Sequence, residues 1–273
     1  MNELQTAEFQ LLKAFTEICE KLDLPYYLVC GTALGAVKYQ GFIPWDDDID
    51  VALLREDYEV FLQKAPGLLP PELFLQNYKS DPAFPQIYSK LRNSQTTYIE
   101  SLSSRIPMNH GVFIDIFPLD GFPEEEAQQK RIHEEKKKAW KKQSCNYYYP
   151  RHYKRVRLQG FLLRLMGYHR RTAETVAALE KKLTQYPAQN AAILCNHGNS
   201  LSETEYSPRW HYGNGSWATF EGLPVRIPEH FDAYLTQKYG DWRAELPPEE
   251  QVGHHYFEVC DLHTPYTHYF RKK

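Results

Sequence analysis

A run of carboxylates that leads into an apolar segment constrains this chain more than any other feature. Residues 45–54 read Trp-Asp-Asp-Asp-Ile-Asp-Val-Ala-Leu-Leu, and the second half is typical of a buried strand. Alternate side chains of an extended segment share a face, so Asp46, Asp48 and Asp50 should project together, away from their neighbours. Crowded carboxylates raise one another's pKa unless a cation neutralises them. The pattern therefore predicts a buried strand that begins beside a divalent metal site.

The acidic run has two other interpretations. A calcium loop of the D-x-D-x-D-G type needs glycine at its sixth position, where this chain has Val51. A solvated acidic turn does not need apolar residues between and after its charges, yet residues 49–54 are apolar except for Asp50. A strand end that binds metal accounts for both the charges and the apolar residues.

A second carboxylate lies inside another apolar segment. Asp115 is the centre of Gly-Val-Phe-Ile-Asp-Ile-Phe-Pro, residues 111–118. A buried carboxylate without partners is costly, so Asp115 either bonds backbone amides or faces a cation. Because Asp48 and Asp50 already form a pair of acids, we favour Asp115 as a third metal-facing acid on a neighbouring strand.

Hydrophobic spacing indicates that helices and strands alternate. Apolar residues recur at helical spacing over residues 4–22, a short strand follows at 26–30, and glycines mark a strand-to-helix turn at 31–37. Further helices are predicted at 55–63, at 124–171 with breaks and at 172–186, and further strands at 86–92 and 111–117. The alternation predicts an α/β or α+β fold. A length of 273 residues fits one domain, 1–273, with an elaboration.

The charge is unevenly distributed. The chain has 32 Lys and Arg against 35 Asp and Glu, yet residues 130–171 hold about 14 basic residues and two acidic ones. They lie in a basic, aromatic helical subregion, residues 124–200, in which 160–169 mixes apolar residues with Arg. We expect this segment to contact anionic phospholipid or the phosphate of a lipid-linked acceptor. A solvated helix is the alternative, and no nucleic-acid partner is expected because the remainder is acidic.

Composition also predicts a compartment. No apolar run approaches the ~18 residues of a membrane-spanning helix, and the N-terminus lacks the pattern of a secretory signal. We expect a cytoplasmic protein with peripheral contact at the inner face of the cell membrane. The five cysteines are scattered without a C-x-x-C pair, which favours reduced, mostly buried thiols. Cys195-x-His197 is interpreted as a packed cysteine rather than a zinc site.

Two segments carry a family resemblance. Residues 31–37 (GTALGAV) and 41–51 (GFIPWDDDIDV) closely resemble the LicD family of phosphocholine transferases, with the fukutin-related proteins as more distant relatives. Further similar segments are 55–58, 90–94, 111–120, 239–242, Pro247-Pro248 and His254-His255. The resemblance spans nearly the whole chain and is loosest between residues 124 and 210.

The resemblance implies a nucleotidyltransferase-like fold, a mixed sheet flanked by helices. By the resemblance, Asp48, Asp50 and Asp115 would be catalytic and would ligate Mg²⁺ or Mn²⁺, while Gly31 and Thr32 would approach the donor phosphates. The implied reaction moves phosphocholine from CDP-choline to a hydroxyl of a lipid-linked or polymeric glycan precursor, of the teichoic acid or lipopolysaccharide type, and releases CMP.

Several assignments stay open at this point. Lys90 and Arg92, two apart on a predicted strand, share a face and could clamp phosphate, as could Lys38, although all three could be ordinary surface cations. Asp46 is an uncertain additional ligand, and His254-His255 has no clear role. The fold would also support transfer of a nucleotide or of another phosphoalcohol or phosphosugar, or a catalytically inactive binding protein.

Overall fold

The computed structural model describes residues 1–150, 152–198, 205–253 and 256–269. Its helices are α1 (Glu3–Leu22), α2 (Cys30–Lys38), α3 (Arg55–Lys64), α4 (Glu126–Gln143), α5 (Lys154–Leu165), α6 (Thr172–Leu183), α7 (Phe231–Tyr239) and α8 (Tyr266–Tyr269). Its strands are β1 (Tyr27–Leu28), β2 (Asp50–Leu54), β3 (Leu73–Gln76), β4 (Ser89–Asn93), β5 (Thr97–Glu100), β6 (Val112–Phe122), β7 (Ile193–Asn196), β8 (Tyr206–Pro208), β9 (Ser216–Phe220), β10 (Leu223–Ile227) and β11 (Phe257–Asp261).

A mixed sheet of seven strands forms the centre of the fold. Its order is β1-β2-β6-β4-β3, and β7 joins the far end of β6 and pairs with β8. The eleven-residue strand β6 is parallel to β2 and antiparallel to β4 and β7. The hairpin β9–β10 and the pair β5–β11 form two smaller sheets. The architecture confirms the prediction of a mixed α/β fold.

Helix α1 packs one face against this sheet, as its spacing predicted. Its first turn is closed by a capping box in which Asn2 and Gln5 exchange side-chain and backbone hydrogen bonds. Its buried apolar residues include Leu12 and Phe15, both fully inaccessible. The helix ends at Asp23, which adopts a left-handed conformation (φ 53°).

The predicted turn at residues 31–37 belongs to a helix. The strand expected at 26–30 is only Tyr27–Leu28, and Cys30 is already the first residue of α2. Cys30 has φ 53°, a left-handed value that costs a non-glycine residue free energy and turns the chain sharply from strand into helix. Glycine at position 35 allows α2 to touch the loop before β2, since a Cβ there would overlap the carbonyl oxygen of Gly41.

A buried ion pair fixes α3 to the end of β6. Arg55 donates through Nε to Asp120 Oδ1 (2.7 Å) and through Nη2 to Asp120 Oδ2 (2.9 Å). Its Nη1 reaches Glu59 and Glu180 at 3.0 and 3.1 Å. The bidentate geometry matches a planar guanidinium to a carboxylate, which makes this contact both strong and specific.

The helices predicted at residues 124–171, with breaks, and at 172–186 are present as α4, α5 and α6, while β7 also falls within residues 124–200. A second cluster of buried apolar residues joins α4 and α6 to the end of β6, with Ile132, Val176, Leu179 and Phe122 among its members. Within the part of the chain that is described, none of the helices is both long enough and apolar enough to cross a membrane.

Candidate active site

Two of the predicted acids lie directly opposite each other on neighbouring strands. Asp50 and Asp115 are partners in the parallel register of β2 and β6. The N–H of Asp115 donates to the carbonyl oxygen of Ile49 (2.8 Å), and the N–H of Asp50 donates to Oγ1 of Thr32 (2.8 Å). Hydrogen bonds of their backbone N–H groups therefore fix both aspartates side by side on two adjacent inner strands of the sheet.

The acids line a cleft of about 520 Å³, a volume within the range of small-molecule sites. Asp46, Asp48, Asp50 and Asp115 all contribute to its wall, whereas Asp47 lines a separate groove. Asp46, Asp48 and Asp50 thus line one cleft, as expected, but Asp47 does not point away from them, because a carboxylate oxygen of Asp47 lies within 4.8 Å of those of Asp46 and Asp48. The segment before Asp50 is irregular rather than a strand, because β2 begins only at Asp50.

Burial and mutual repulsion dominate the electrostatics. Burial first, and then the charges of Asp48, Asp115 and Asp46, raise the pKa of Asp50 well above its ordinary value. Burial also raises the pKa of Asp115, although Nζ of Lys90, 3.0 Å from Oδ1, opposes that shift. The site thus concentrates carboxylates where their negative charges are poorly solvated.

The donor set suits a hard divalent cation. Carboxylate oxygens are the ligands that Mg²⁺ prefers, and a cation in the cleft would relieve the repulsion around Asp50. Among the described residues, the three acids whose ligand oxygens all lie within 4.8 Å of one another are Asp46, Asp47 and Asp48. Ligation by Asp48, Asp50 and Asp115 together stays a prediction.

The start of α2 forms the wall beside the acids. Gly31 lines the cleft, and a Cβ at this position would lie 2.9 Å from Oδ2 of Asp46. The Thr32 side chain is buried and accepts the hydrogen bond from Asp50, so its hydroxyl supports β2. Lys38 lines the cleft from the other end of α2. Its Nζ donates to the carbonyl oxygen of Ala244 (2.8 Å) and lies 3.2 Å from Oε1 of Glu245.

Lys90 and Arg92 share a face of β4, as predicted, but both are buried in internal ion pairs. Nζ of Lys90 lies 3.5 Å from Glu100 and 3.0 Å from Asp115. Arg92 is fully inaccessible, donates to Gln76 and reaches Glu100 at 3.6 Å. Neither side chain lines the cleft, so this geometry does not favour a direct phosphate clamp; Lys90 instead orients Asp115.

Several residues of the cleft received no role from the sequence. Tyr88 and Phe117 pack against each other at 4.7 Å between ring centroids and line the cleft together with Gly198. The wall also contains the aromatic or acidic residues Tyr39, Trp45, Tyr239, Asp241 and Trp242, and it is completed by Cys30, Leu34, Ile43, Ala244 and Leu246. Tyr239, Asp241 and Trp242 lie in segment 239–242, whose resemblance to the LicD family could have indicated them. His254-His255 lies outside the described residues.

The cysteines agree with their predicted role. The described thiols are free, and four of the five are buried. Cys195 lies 3.4 Å from Nδ1 of His197 in the interior, where burial raises the pKa of the thiol and lowers that of the imidazole. The pair is a packed interior contact.

The segment that carries the acids matches a known protein family. The model of the nucleotidyltransferase domain of the LicD/FKTN/FKRP family matches residues 23–160, which contain Asp48, Asp50 and Asp115. The chain is 27% identical over 279 residues to the lipopolysaccharide cholinephosphotransferase LicD of Haemophilus influenzae, with 96% of this chain and 98% of that protein covered.

Two further relatives match a shorter stretch. An uncharacterised protein of Rickettsia prowazekii is 45% identical over 56 residues, 20% of this chain and 21% of its own length. One of Rickettsia typhi is 43% identical over 58 residues, 21% of this chain and 19% of its own length. The family match covers half of the chain and includes both strands that carry the central acids, so the chain belongs to the LicD/FKTN/FKRP family through its nucleotidyltransferase domain.

Proposed function

We propose that this protein is a metal-dependent transferase that moves phosphocholine from CDP-choline to a hydroxyl of a cell-surface glycan precursor. The observation that carries the proposal is the placement of Asp50 and Asp115 on adjacent parallel strands that face one cleft. The similarity to a lipopolysaccharide cholinephosphotransferase over nearly the full length supports choline phosphate as the transferred group.

The donor diphosphate is assigned to the space between the acids and the start of α2. The first N–H groups of a helix lack partners within the helix and carry partial positive charge, which favours phosphate. Gly31 lies at this end and has no side chain to block close approach. Mg²⁺ or Mn²⁺ held by Asp48, Asp50 and Asp115 would neutralise charge on the phosphates and on the departing CMP.

The remaining chemistry needs one proton acceptor. The acceptor hydroxyl oxygen forms a bond to the phosphorus of phosphocholine, while the bond from that phosphorus to the bridging oxygen breaks and CMP leaves with its electron pair. Asp115 is our candidate for the group that receives the hydroxyl proton. Lys90 holds the Asp115 carboxylate in place at 3.0 Å, and a divalent cation at the acids would lower the pKa of the acceptor hydroxyl.

The choline group is assigned to the aromatic part of the wall. Quaternary ammonium groups bind to the faces of aromatic rings. Lys38 and Arg243 already lie over the rings of Tyr39 and Trp242, at 5.6 and 4.1 Å from the centroids. Among the described residues no cation lies over Trp45 or Tyr239, and Asp46 and Asp241 add negative charge nearby. Trp45 and Tyr239 are therefore the best candidates for the choline contact.

The central test measures CMP release from CDP-choline with Mg²⁺ and candidate glycan-lipid acceptors. Asp48→Asn, Asp50→Asn and Asp115→Asn should each lower the turnover number roughly 10³-fold if lost stabilisation is about 4 kcal/mol. Asp23→Asn is the control, because it neutralises an exposed acid at the end of α1 that does not line the cleft, and it should retain activity. Near wild-type turnover of a folded Asp50→Asn variant would refute the assignment. Release of free phosphocholine with CMP attached to the acceptor would instead establish nucleotide transfer.

The choline contact is tested separately through KM. Trp45→Ala should raise the KM for CDP-choline about tenfold, because an aromatic contact with a desolvated cation contributes up to about 2 kcal/mol. Trp45→Phe keeps a ring and should show most of the wild-type affinity. The preference for CDP-choline over CDP-ethanolamine should fall in Trp45→Ala alone. An unchanged preference would place the choline group elsewhere without affecting the assignment of the acids.

A further inference from the structure

Helix α5 presents a row of apolar side chains to solvent. Leu158, Phe161, Leu162 and Leu165 are 61%, 58%, 51% and 70% exposed, and Met166 at the end of the helix is 69% exposed. The spacing i, i+3, i+4, i+7 places these four residues on one stripe of a helix with about 100° per residue. Such a stripe normally faces the protein core, whereas this one faces outward.

The opposite side of α5 is the side that contacts the protein. Gly160 is buried, and a Cβ there would lie 2.8 Å from the carbonyl oxygen of Ser144, which follows α4. Gln159 donates to the carbonyl oxygen of Lys141 (3.1 Å), and Val156 and Leu163 are half-buried. The contact to α4 therefore sets the rotation of α5 and leaves its apolar row exposed.

Cations border the apolar row on both sides. At about 100° per residue, Arg155 lies on one flank and Arg157 and Arg164 on the other. The helix has no acidic residue, and none of these three guanidinium groups is within 4.0 Å of a carboxylate in the described ranges. Helix α4 differs, because its Lys130 and Lys138 pair with acids of the same helix.

We propose that α5 lies flat on a bilayer that contains anionic phospholipid, with its apolar row in the acyl boundary and its arginines at the phosphates. An apolar stripe flanked by cations is the pattern of helices that bind in the interface plane. A second copy of this chain fits less well, since a symmetric contact would bring two sets of arginines together. The proposal rests on α5 alone and does not depend on the proposed transferase activity.

Vesicle co-sedimentation tests the proposal with the full-length protein. The protein should pellet with vesicles of equal parts phosphatidylcholine and phosphatidylglycerol at low salt and stay in the supernatant with pure phosphatidylcholine. Salt at about 1 M, where charges are screened beyond about 3 Å, should release it. Equal binding to both vesicle types, or none to anionic ones, would overturn the proposal.

Three variants assign the binding to α5. Arg157→Gln with Arg164→Gln should weaken partitioning about 25-fold, since each cation near an anionic surface contributes about fivefold. Phe161→Gln with Leu165→Gln should weaken it as strongly without changing the charge. The control is Trp217→Gln on β9, which removes another exposed apolar side chain and should bind as the wild type. Wild-type binding by either α5 variant, or a dimer that these variants dissociate in the absence of lipid, would refute the proposal.

Discussion

The hydroxyl of Thr32 should be essential to the geometry of the acids, and Thr32→Val tests this. In the structure the buried Oγ1 of Thr32 accepts the hydrogen bond from the N–H of Asp50 at 2.8 Å. Valine has nearly the same shape but offers no acceptor. The backbone N–H at the first residue of β2 would then be buried without a partner, directly beside the Asp50 carboxylate.

The expected cost follows from that single lost bond. A buried donor left unsatisfied costs about 1–3 kcal/mol, so we expect the free energy of unfolding to fall by about 2 kcal/mol. For a chain of 273 residues, this corresponds to a decrease in Tm of roughly 3–4 °C. Because β2 also positions Asp50, turnover should fall by at least tenfold while the fold is retained.

Urea unfolding followed by circular dichroism measures the stability, and CMP release measures the turnover. The matched control is Thr16→Val: Thr16 is also buried, but its hydroxyl donates to the Lys13 carbonyl within α1. That carbonyl has a helical partner, so the change should cost less than about 0.5 kcal/mol. Thr32→Ser keeps the acceptor and should retain most activity. Equal destabilisation by Thr32→Val and Thr16→Val would refute the reasoning.

Three further outcomes are expected. Arg55→Met should lower the free energy of unfolding by about 3–5 kcal/mol, measured in urea, because it leaves the Asp120 carboxylate buried without its bidentate partner. Burial lowers the pKa of His110 to about 4, so the unfolded chain binds a proton before the folded chain does as the pH falls. The free energy of unfolding should therefore be full above about pH 6.5 and fall by up to about 3 kcal/mol towards pH 4. His110→Gln should remove this pH dependence. Gly35→Ala should lower Tm by several degrees in differential scanning calorimetry because its Cβ meets backbone, whereas Gly67→Ala, with open space around it, should not.

The sequence predicted the parts of this fold that depend on local patterns. The amphipathic helix α1 and the buried strand β2 follow from hydrophobic spacing. The early start of α2 could not be predicted, because Cys30 adopts a left-handed conformation that its residue type disfavours.

The partners of the cations and the composition of the cleft wall depend on contacts between residues that are far apart in the sequence. Lys90 pairs with Asp115 and Glu100, and Arg92 pairs with Glu100; both acids lie on other strands. The sequence pattern shows only two cations on one face of a strand, so it could not predict that both are buried. Likewise, Lys38 reaches the carbonyl oxygen of Ala244, 206 residues away. The aromatic wall at Tyr239 and Trp242 forms only because α7, late in the chain, packs against α2.

The parallel pairing of β2 with β6 also has a consequence for how the protein folds. Strands β3 and β4 pair residues that are close in the sequence: Gln76 lies opposite Lys90, and Leu73 lies opposite Asn93. Asp50 and Asp115 meet only after a much longer loop has closed, and such pairings form slowly because chain entropy must be lost first. The acids are consequently dispersed in the unfolded chain and concentrated only in the native one. A cation that binds them would therefore slow unfolding rather than speed early collapse, and would prolong the lifetime of the folded protein.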